Sequence, residues 1–200
     1  MGNNRKYSLV LCGLSLLAFS CRTTNMINYY ARNHTILDSI EASYRQQYRQ
    51  SHFSVEFTDR PFKNVSLELY TDTIKYVYEF GIDEERMNDS LQKYHLSPTG
   101  VRQLITRMRS IHCTWINNLD YYVDEKKNFL IYLSIRPRLI TFPLSQKKYF
   151  ILTYYSQPQY YDSEGRLLDK RKRRRLRKIN GDVYRRITDR VAYTISGNFR

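Results

Sequence analysis

The densest concentration of chemically active side chains in the sequence is a run of basic residues near its C-terminal end. Between Arg166 and Lys178 stand nine lysines and arginines and a single acid, which gives this segment a net charge of +8. Ammonium and guanidinium groups at this density attract phosphate, sulfate and carboxylate groups. The residues to which we assign anion binding are Arg171, Lys172, Arg173, Arg174, Arg175, Arg177 and Lys178.

This basic run also accounts for much of the charge of the whole chain. The 200 residues include 33 lysines and arginines against 19 acids, a formal net charge of +14 with an isoelectric point near 9.7. More than half of that excess lies in the basic run, so the rest of the chain is much closer to balance. Nucleic acid, anionic lipid headgroups and acidic glycans all fit a local charge of this kind.

Catalytic and metal-binding patterns are much weaker. The four histidines, His34, His52, His95 and His112, show no helical i, i+4 pairing and no acidic partner that completes a metal site. The sequence also lacks Gly-x-Ser-x-Gly, Walker-type and Gly-x-Gly-x-x-Gly motifs. We expect Cys113 to be a buried structural thiol, and we assign no catalytic residue, no metal ligand and no cofactor.

The first 21 residues have the organisation of an export signal. Two basic residues precede the apolar run from Ser8 to Ser20, whose 13 residues are too few to cross a ~30 Å hydrocarbon core as a helix. The run ends in the small residue Ser20, and Cys21 follows it directly. The segment Leu17-Ala18-Phe19-Ser20-Cys21 resembles the lipobox of a bacterial lipoprotein signal, although Ala18 stands where a leucine is usual.

This resemblance implies that Cys21 is the lipidation site, with its thiol carrying a diacylglycerol and residues 1–20 removed. Residues 21–26 are then the lipidated cysteine and a short linker, and residues 27–200 form a single domain held close to its membrane. An ordinary secretory signal and an uncleaved anchor are the alternatives.

The predicted location is accordingly the bacterial cell envelope, with the protein facing the periplasm or the cell surface. Arg22, rather than an acid, follows the cysteine, which resembles sorting to the outer membrane rather than the inner one. An envelope location makes nucleic acid the least suitable of the polyanionic partners. Lipid headgroup phosphates, an acidic glycan and an acidic envelope protein remain.

Three tripeptides resemble the acceptor of envelope O-glycosylation in Bacteroides-type bacteria: Asp38-Ser39-Ile40, Asp72-Thr73-Ile74 and Asp89-Ser90-Leu91. The resemblance marks Ser39, Thr73 and Ser90 as candidate acceptors. Three Asn-x-Ser/Thr patterns fit N-glycosylation equally well, which shows how readily short patterns arise by chance. Ordinary surface hydroxyls are the alternative.

Tyrosine is the other residue in excess, with 19 copies, several of them in adjacent pairs. Neighbouring side chains of a strand point to opposite faces of a sheet, so such pairs predict some rings on an outer face. An outward tyrosine can stack on a sugar or contact a protein, or it can simply favour strand formation.

The elements that position these residues follow from periodicity. Apolar residues at three- and four-residue spacing predict a helix over 27–50, and Ser97 followed by Pro98 predicts a second helix that runs to about Thr114. Alternating apolar and β-branched residues predict strands, which short connections make antiparallel. The predicted strands cover residues 53–57, 65–70, 74–80, 121–123, 129–135, 139–142 and 149–155.

Beyond residue 160 the pattern favours helices. A basic helix is predicted from Arg166 to Ile179, and Asp182 is suited to cap an amphipathic helix that Gly197 ends. The pair Asn180-Gly181 leaves a hairpin turn between two strands as an alternative.

We therefore predict an α+β fold in a single domain: an N-terminal helix, a mostly antiparallel sheet interrupted by a helix, and C-terminal basic and amphipathic helices. The predicted function is that of a lipid-anchored cell-envelope lipoprotein, a non-enzymatic binding or structural module. It contacts an anionic surface, a glycan or an envelope partner through the basic run. The alternative is an envelope enzyme, such as a glycan-acting hydrolase, with dispersed catalytic residues.

Overall fold

The computed structural model describes residues 4–123, 126–136, 148–170 and 172–197, with side chains from Met26 onward except those of residues 122 and 123. Within these ranges it has three helices and ten strands. The elements are α1 (Asn4–Tyr48), β1 (His52–Phe57), β2 (Asn64–Tyr70), β3 (Lys75–Gly81), α2 (Arg86–Lys93), α3 (Pro98–Ser110), β4 (Cys113–Val123), β5 (Lys126–Ile135), β6 (Tyr149–Tyr155), β7 (Lys178–Ile179), β8 (Asp182–Val183), β9 (Arg185–Arg186) and β10 (Val191–Ser196).

The chain divides into two compact units, residues 1–37 and residues 38–200. The first unit is the long N-terminal part of α1, a continuous helix in which Asn33 donates to the Tyr29 carbonyl oxygen at 2.8 Å. Of the helices that the structure describes, none combines the length and apolar character needed to cross a membrane.

The second unit is built on an eight-stranded antiparallel sheet with the order β3-β2-β1-β4-β5-β6-β10-β9. Consecutive strands are neighbours except at two places, where α2 and α3 lie between β3 and β4 and a long segment lies between β6 and β9. A separate two-stranded ribbon, β7-β8, belongs to that long segment.

The two faces of the sheet are covered by different parts of the chain. On the first face, the C-terminal turns of α1 pack through Tyr44, whose ring centroid lies 5.0 Å from that of Phe53 and whose hydroxyl donates to the Phe53 carbonyl oxygen at 2.5 Å. On the second face, residues of the β6–β9 connection cover β4, β5, β6 and β10. Leu167 and Tyr184 from this connection are fully buried in a core cluster with Tyr132.

Helix α3 begins where its capping residues predict. Ser97 has an extended backbone, its hydroxyl accepts from the Gly100 N–H at 3.2 Å, and Pro98 occupies the first helical position. The helix ends at Ser110 rather than near Thr114, because His112 adopts a left-handed φ of 58° and leads directly into β4. Cys113 therefore lies in a strand, fully buried as expected.

The predicted fold is wrong in its C-terminal part: the basic and amphipathic helices do not form. The basic run folds back on itself as a hairpin, and the segment that begins at Asp182 forms β8, β9 and β10. The resulting architecture is still broadly α+β, but the antiparallel sheet dominates it. The strand predicted over residues 139–142 lies outside the described residues.

Two physical effects explain the error. A helix over the basic run would place like charges at i, i+4 spacing, where they repel one another. In the last segment the spacing of Val191 and Ile195 fits a helical period, but it fits alternate positions of a strand equally well. Pairing of all six residues of β10 with β6 buries that strand in the sheet, and the β-branched side chains suit that environment.

Candidate anion-binding hairpin

The basic run forms a hairpin, here called the basic hairpin and defined as residues 167–170 and 172–177. Leu168 and Leu176 form an antiparallel bridge, and the Arg177 N–H donates to the Leu167 carbonyl oxygen at 2.9 Å. The ends of the hairpin are therefore held together by backbone pairing. Its tip consists of residues 169–170 and 172–175.

Asp169 shapes the tip. Its N–H donates to the Arg175 carbonyl oxygen at 2.9 Å, and its Oδ1 accepts from the Lys172 N–H at 3.4 Å. The Arg175 N–H in turn donates to the Lys172 carbonyl oxygen at 2.7 Å, which closes a tight turn. The one acid of the basic run thus helps to fold the backbone that carries the basic side chains.

The cations at the tip point into solvent. Lys170, Lys172, Arg173, Arg174 and Arg175 are exposed, as is Lys178 in β7, whereas Arg171 lies outside the described residues. In the part of the chain that the structure describes, Lys172, Arg173, Arg174 and Arg175 make no ion pair. The tip therefore presents at least four uncompensated positive charges from four consecutive residues.

The base of the hairpin is attached to the sheet through Arg177. Its guanidinium carbon lies 4.8 Å from the ring centroid of Tyr121 and 5.9 Å from that of Tyr155, while Nη1 donates to Gln159 Oε1 at 3.2 Å. Stacking over two aromatic faces together with a hydrogen bond restrains a guanidinium group strongly. Arg177 is half-buried, so among the assigned residues that the structure describes it is the one that attaches the base of the hairpin to the sheet.

A second arginine–tyrosine contact lies at the tip itself. The Arg173 guanidinium carbon is 4.4 Å from the ring centroid of Tyr160, which is 37% exposed. This ring leaves the donor edges of the guanidinium group accessible while limiting its motion. The sequence singled out the tyrosine pairs but not their arginine partners, because the contacts join residues from distant parts of the chain.

Buried tyrosines pack beneath the basic hairpin. Tyr155 and Tyr184 are almost completely buried, and burial raises the pKa of Tyr155 to about 12 and that of Tyr184 further. Burial also raises the pKa of Tyr161, against which the Arg186 guanidinium carbon lies at 5.9 Å. These rings remain neutral at physiological pH, so no phenolate charge weakens the positive potential of the tip.

Two acids near the hairpin, Asp162 and Glu164, engage Arg166 rather than the cations of the tip. Asp162 Oδ2 accepts from Arg166 Nε at 2.7 Å, and Glu164 lies 3.3 Å from Arg166 Nη1. Desolvation opposes the charge of Asp162, but hydrogen bonds from the backbone and side chain of Arg166 outweigh it and hold its pKa below the ordinary value. Arg166 is compensated locally, whereas the four cations at the tip are not.

Neighbouring arginines from β9 add to the basic surface. Arg185 forms an antiparallel bridge with Arg166, and both Arg185 and Arg186 are exposed. Arg186 pairs with Asp189 at 2.6 Å. The predicted C-terminal helix would place Arg185 and Arg186 elsewhere, so this contribution was not expected; the adjacent pair of arginines is its signal in the sequence.

The other assigned residues lie away from the hairpin in sequence. Cys21 is within α1, and its side chain lies outside the described residues. Thr73 is exposed in the turn between β2 and β3, whereas Ser39 and Ser90 are half-buried on α1 and α2. Of the three candidate glycan acceptors, Thr73 is the most accessible.

Cys113 and two of the histidines contact neighbouring groups of the fold. Among the described residues, no group of three or more histidine, cysteine, aspartate or glutamate side chains is arranged to hold a metal ion. Burial raises the pKa of the Cys113 thiol to about 12, so it is protonated and unreactive at neutral pH. His52 stacks on Tyr48 and His112 packs edge-on against Phe62.

Comparison with known proteins adds no assignment: no family model, no curated protein and no solved structure matches this chain.

Proposed function

We propose that this chain is a lipid-anchored protein of the bacterial cell envelope that binds an anionic surface through the basic hairpin. The observation that carries the proposal is the tip of the hairpin, where Lys172, Arg173, Arg174 and Arg175 are exposed and uncompensated by the described residues. The lipobox resemblance at Cys21 supports the location, and a location at a membrane makes phosphate-bearing lipid headgroups the first ligand to test.

The strength of the interaction follows from simple electrostatics. Each basic residue close to an anionic bilayer contributes about 1 kcal/mol, so four at one tip contribute about 4 kcal/mol, roughly a thousandfold in affinity. The attraction is screened over about 8–10 Å at physiological salt. Binding should therefore weaken steeply as the salt concentration rises.

Binding to the surface is tested with vesicles that contain anionic lipid and with matched neutral vesicles. The full chain is expected to cosediment with the anionic vesicles, and the triple variant Arg173→Ser, Arg174→Ser, Arg175→Ser is expected to lose at least tenfold in affinity. A matched control, Arg60→Ser, Lys63→Ser, Lys93→Ser, removes the same charge from exposed positions elsewhere and should bind almost normally.

Equal binding by the two triple variants would contradict a role for the hairpin, because the effect would then come from net charge alone. Retention on an acidic glycan without retention on anionic vesicles would move the assignment to a glycan. Binding to vesicles and binding to the glycan are measured on the same preparations. The thermal unfolding of each preparation shows whether a variant has a folding defect.

The anchor is tested separately by growth with a labelled fatty acid. The wild-type chain is expected to incorporate the label and to fractionate with membranes, and Cys21→Ala is expected to abolish both. Label that persists in Cys21→Ala would exclude Cys21 as the lipidation site. Cys113→Ala serves as the matched control, since its thiol is buried in β4.

A further inference from the structure

The two edges of the large sheet differ sharply. One edge, β9, is only two residues long and consists of Arg185 and Arg186, so its charge and length discourage pairing with another strand. The other edge, β3, is seven residues long and pairs with β2 without a bulge from Asn64–Gly81 to Tyr70–Lys75. Edge strands of this length and regularity are templates for strand addition.

Apolar side chains are exposed along this long edge. Val77 is 55% exposed, Tyr76 is 37% exposed, and Ile74, in the turn before the strand, is 52% exposed. These three are a majority of the five large apolar side chains that are exposed among the described residues. Their concentration at one edge indicates a contact surface rather than scattered surface residues.

The hydrogen bonds at the two ends of β3 show which of its residues bond to β2 and which face outward. At one end the Ile82 N–H donates to the Lys63 carbonyl oxygen at 2.9 Å, and at the other the Ile74 carbonyl oxygen accepts from the Thr71 N–H at 2.9 Å. Backbone groups of an antiparallel strand alternate between its two neighbours. The even-numbered residues of β3 therefore bond to β2, and the odd-numbered residues face outward.

Three odd-numbered residues are open. Gly81 is already engaged, since its N–H donates to Glu84 Oε2 at 3.1 Å and its carbonyl oxygen accepts from the Glu84 N–H at 3.0 Å. The outward N–H and C=O groups of Lys75, Val77 and Glu79 have no protein partner in the part of the chain that the structure describes. Three N–H groups and three C=O groups on this edge are thus available to pair with an added strand.

These residues are self-complementary. If a second β3 is placed antiparallel with Val77 opposite Val77, then Lys75 of each copy faces Glu79 of the other, and every outward group finds a partner. On the opposite face the same register sets Tyr76 against Tyr78. Glu79 is exposed and makes no ion pair with any described residue of its own chain, whereas Lys75 lies 3.3 Å from Glu68 and keeps its side chain 50% exposed.

We propose that two copies of this chain associate through β3, in an antiparallel register centred on Val77, and join their sheets into one of sixteen strands. The occupant is a second copy because charge and backbone parity both select the same register, a coincidence that an unrelated strand would not require. The dimer is independent of the basic hairpin, which lies in the β6–β9 connection near the other edge of the sheet.

Cysteine cross-linking of the full chain tests the register. Facing Cα atoms of a hydrogen-bonded pair lie about 5.5 Å apart, within the range that a disulfide spans, so Val77→Cys is expected to form a covalent dimer on mild oxidation. Lys75→Cys or Glu79→Cys alone should not, because four residues of offset separate the identical positions by about 14 Å. A mixture of differently tagged Lys75→Cys and Glu79→Cys chains should give the mixed dimer.

The wild-type chain and the exposed-site variant Lys63→Cys measure the background from the native thiols and from random collision. A Val77→Cys chain that cross-links no faster than Lys63→Cys would overturn the proposal. So would Lys75→Cys and Glu79→Cys chains that self-link as readily as they link to each other, since that result indicates contact without register.

Charge reversal gives a second readout that leaves the backbone intact. Glu79→Lys places two lysines opposite each other at both symmetric positions and should weaken dimerisation, measured by sedimentation, roughly threefold to tenfold. Because Lys75 lies beside Glu68, the double variant Lys75→Glu, Glu79→Lys is made in a Glu68→Gln background. It restores opposite charges across the interface and should recover the dimer. A folded double variant that does not recover the dimer would contradict the proposed pairing.

Discussion

At Asn180 and Gly181 the backbone turns with both residues in the left-handed region, at φ values of 50° and 83°. This is the geometry of the two-residue hairpin turn that joins β7 to β8, and Asn-Gly is its preferred sequence. Residues with a side chain adopt this conformation at a cost, and glycine does not. The turn directs the chain from the basic hairpin back under the sheet to Tyr184.

Gly181→Ala should therefore lower the free energy of unfolding by about 1 kcal/mol. No atom lies within 4 Å of the added Cβ, so the loss arises from backbone strain rather than from a clash. Urea denaturation followed by circular dichroism measures it. Asn180→Gly relaxes the same turn and should not destabilise the folded backbone; a chain in which Gly181→Ala is neutral would contradict a left-handed turn here.

At the scale of elements, the contact between the end of α1 and the start of α3 holds the two helices together. Gln47 is buried, and its Oε1 accepts from the Ser97 N–H at 3.1 Å. The Arg107 Nη1 atom donates to Ser43 Oγ at 2.6 Å, which adds a second link between the same helices. Gly100 lies directly beside the Gln47 amide.

Gly100→Ala is predicted to destabilise the protein by about 1–2 kcal/mol, although alanine is the better helix former by about 1 kcal/mol. A Cβ at this position would lie 2.5 Å from Gln47 Nε2, and the amide cannot move away without losing its bond to Ser97. Chemical denaturation gives the stability of each variant.

The background variant Gln47→Ala supplies the control, because it removes the obstructing amide. In that background Gly100→Ala should become neutral or stabilising. A stabilising effect of Gly100→Ala in the otherwise wild-type chain would show that the two helices are not packed this closely.

At the scale of the whole molecule, several buried tyrosines stay neutral in the folded state. Burial raises the pKa of Tyr70 and of Tyr155 to about 12, and burial raises that of the fully buried Tyr44 as well. In the unfolded chain the same groups ionise near pH 10. A raised pKa in the folded state means that the folded chain binds more protons between these values, so stability is intact below about pH 10 and falls as the pH rises towards about 12.

We accordingly predict cooperative alkaline unfolding between about pH 10 and pH 12. Tyrosinate absorbance and circular dichroism, recorded on one sample, should show part of the tyrosine titration coinciding with the loss of secondary structure. Titration of every tyrosine at about pH 10 with the sheet still intact would contradict the burial of these rings.

Many helices and strands of the second unit can be predicted from short stretches of sequence. Ser97 and Pro98 set the start of α3 because a cap acts on the adjacent turn, and the alternation of apolar residues predicts β1, β2 and β3 to within a residue or two. The buried thiol of Cys113 was expected too. The basic run was identified by charge alone, and its count of cations does not depend on the fold.

The conformation of the basic run was decided by tertiary structure. Its residues would repel one another as a helix, and the hairpin forms because Leu167 and Tyr184 are buried against a sheet face made from strands far away in sequence. The stacking of Arg177 on Tyr121 and the open edge of β3 likewise exist only once the strand order is set. Local patterns report the interactions of near neighbours along the chain, whereas burial, stacking and sheet edges arise between segments that only the folded chain brings together.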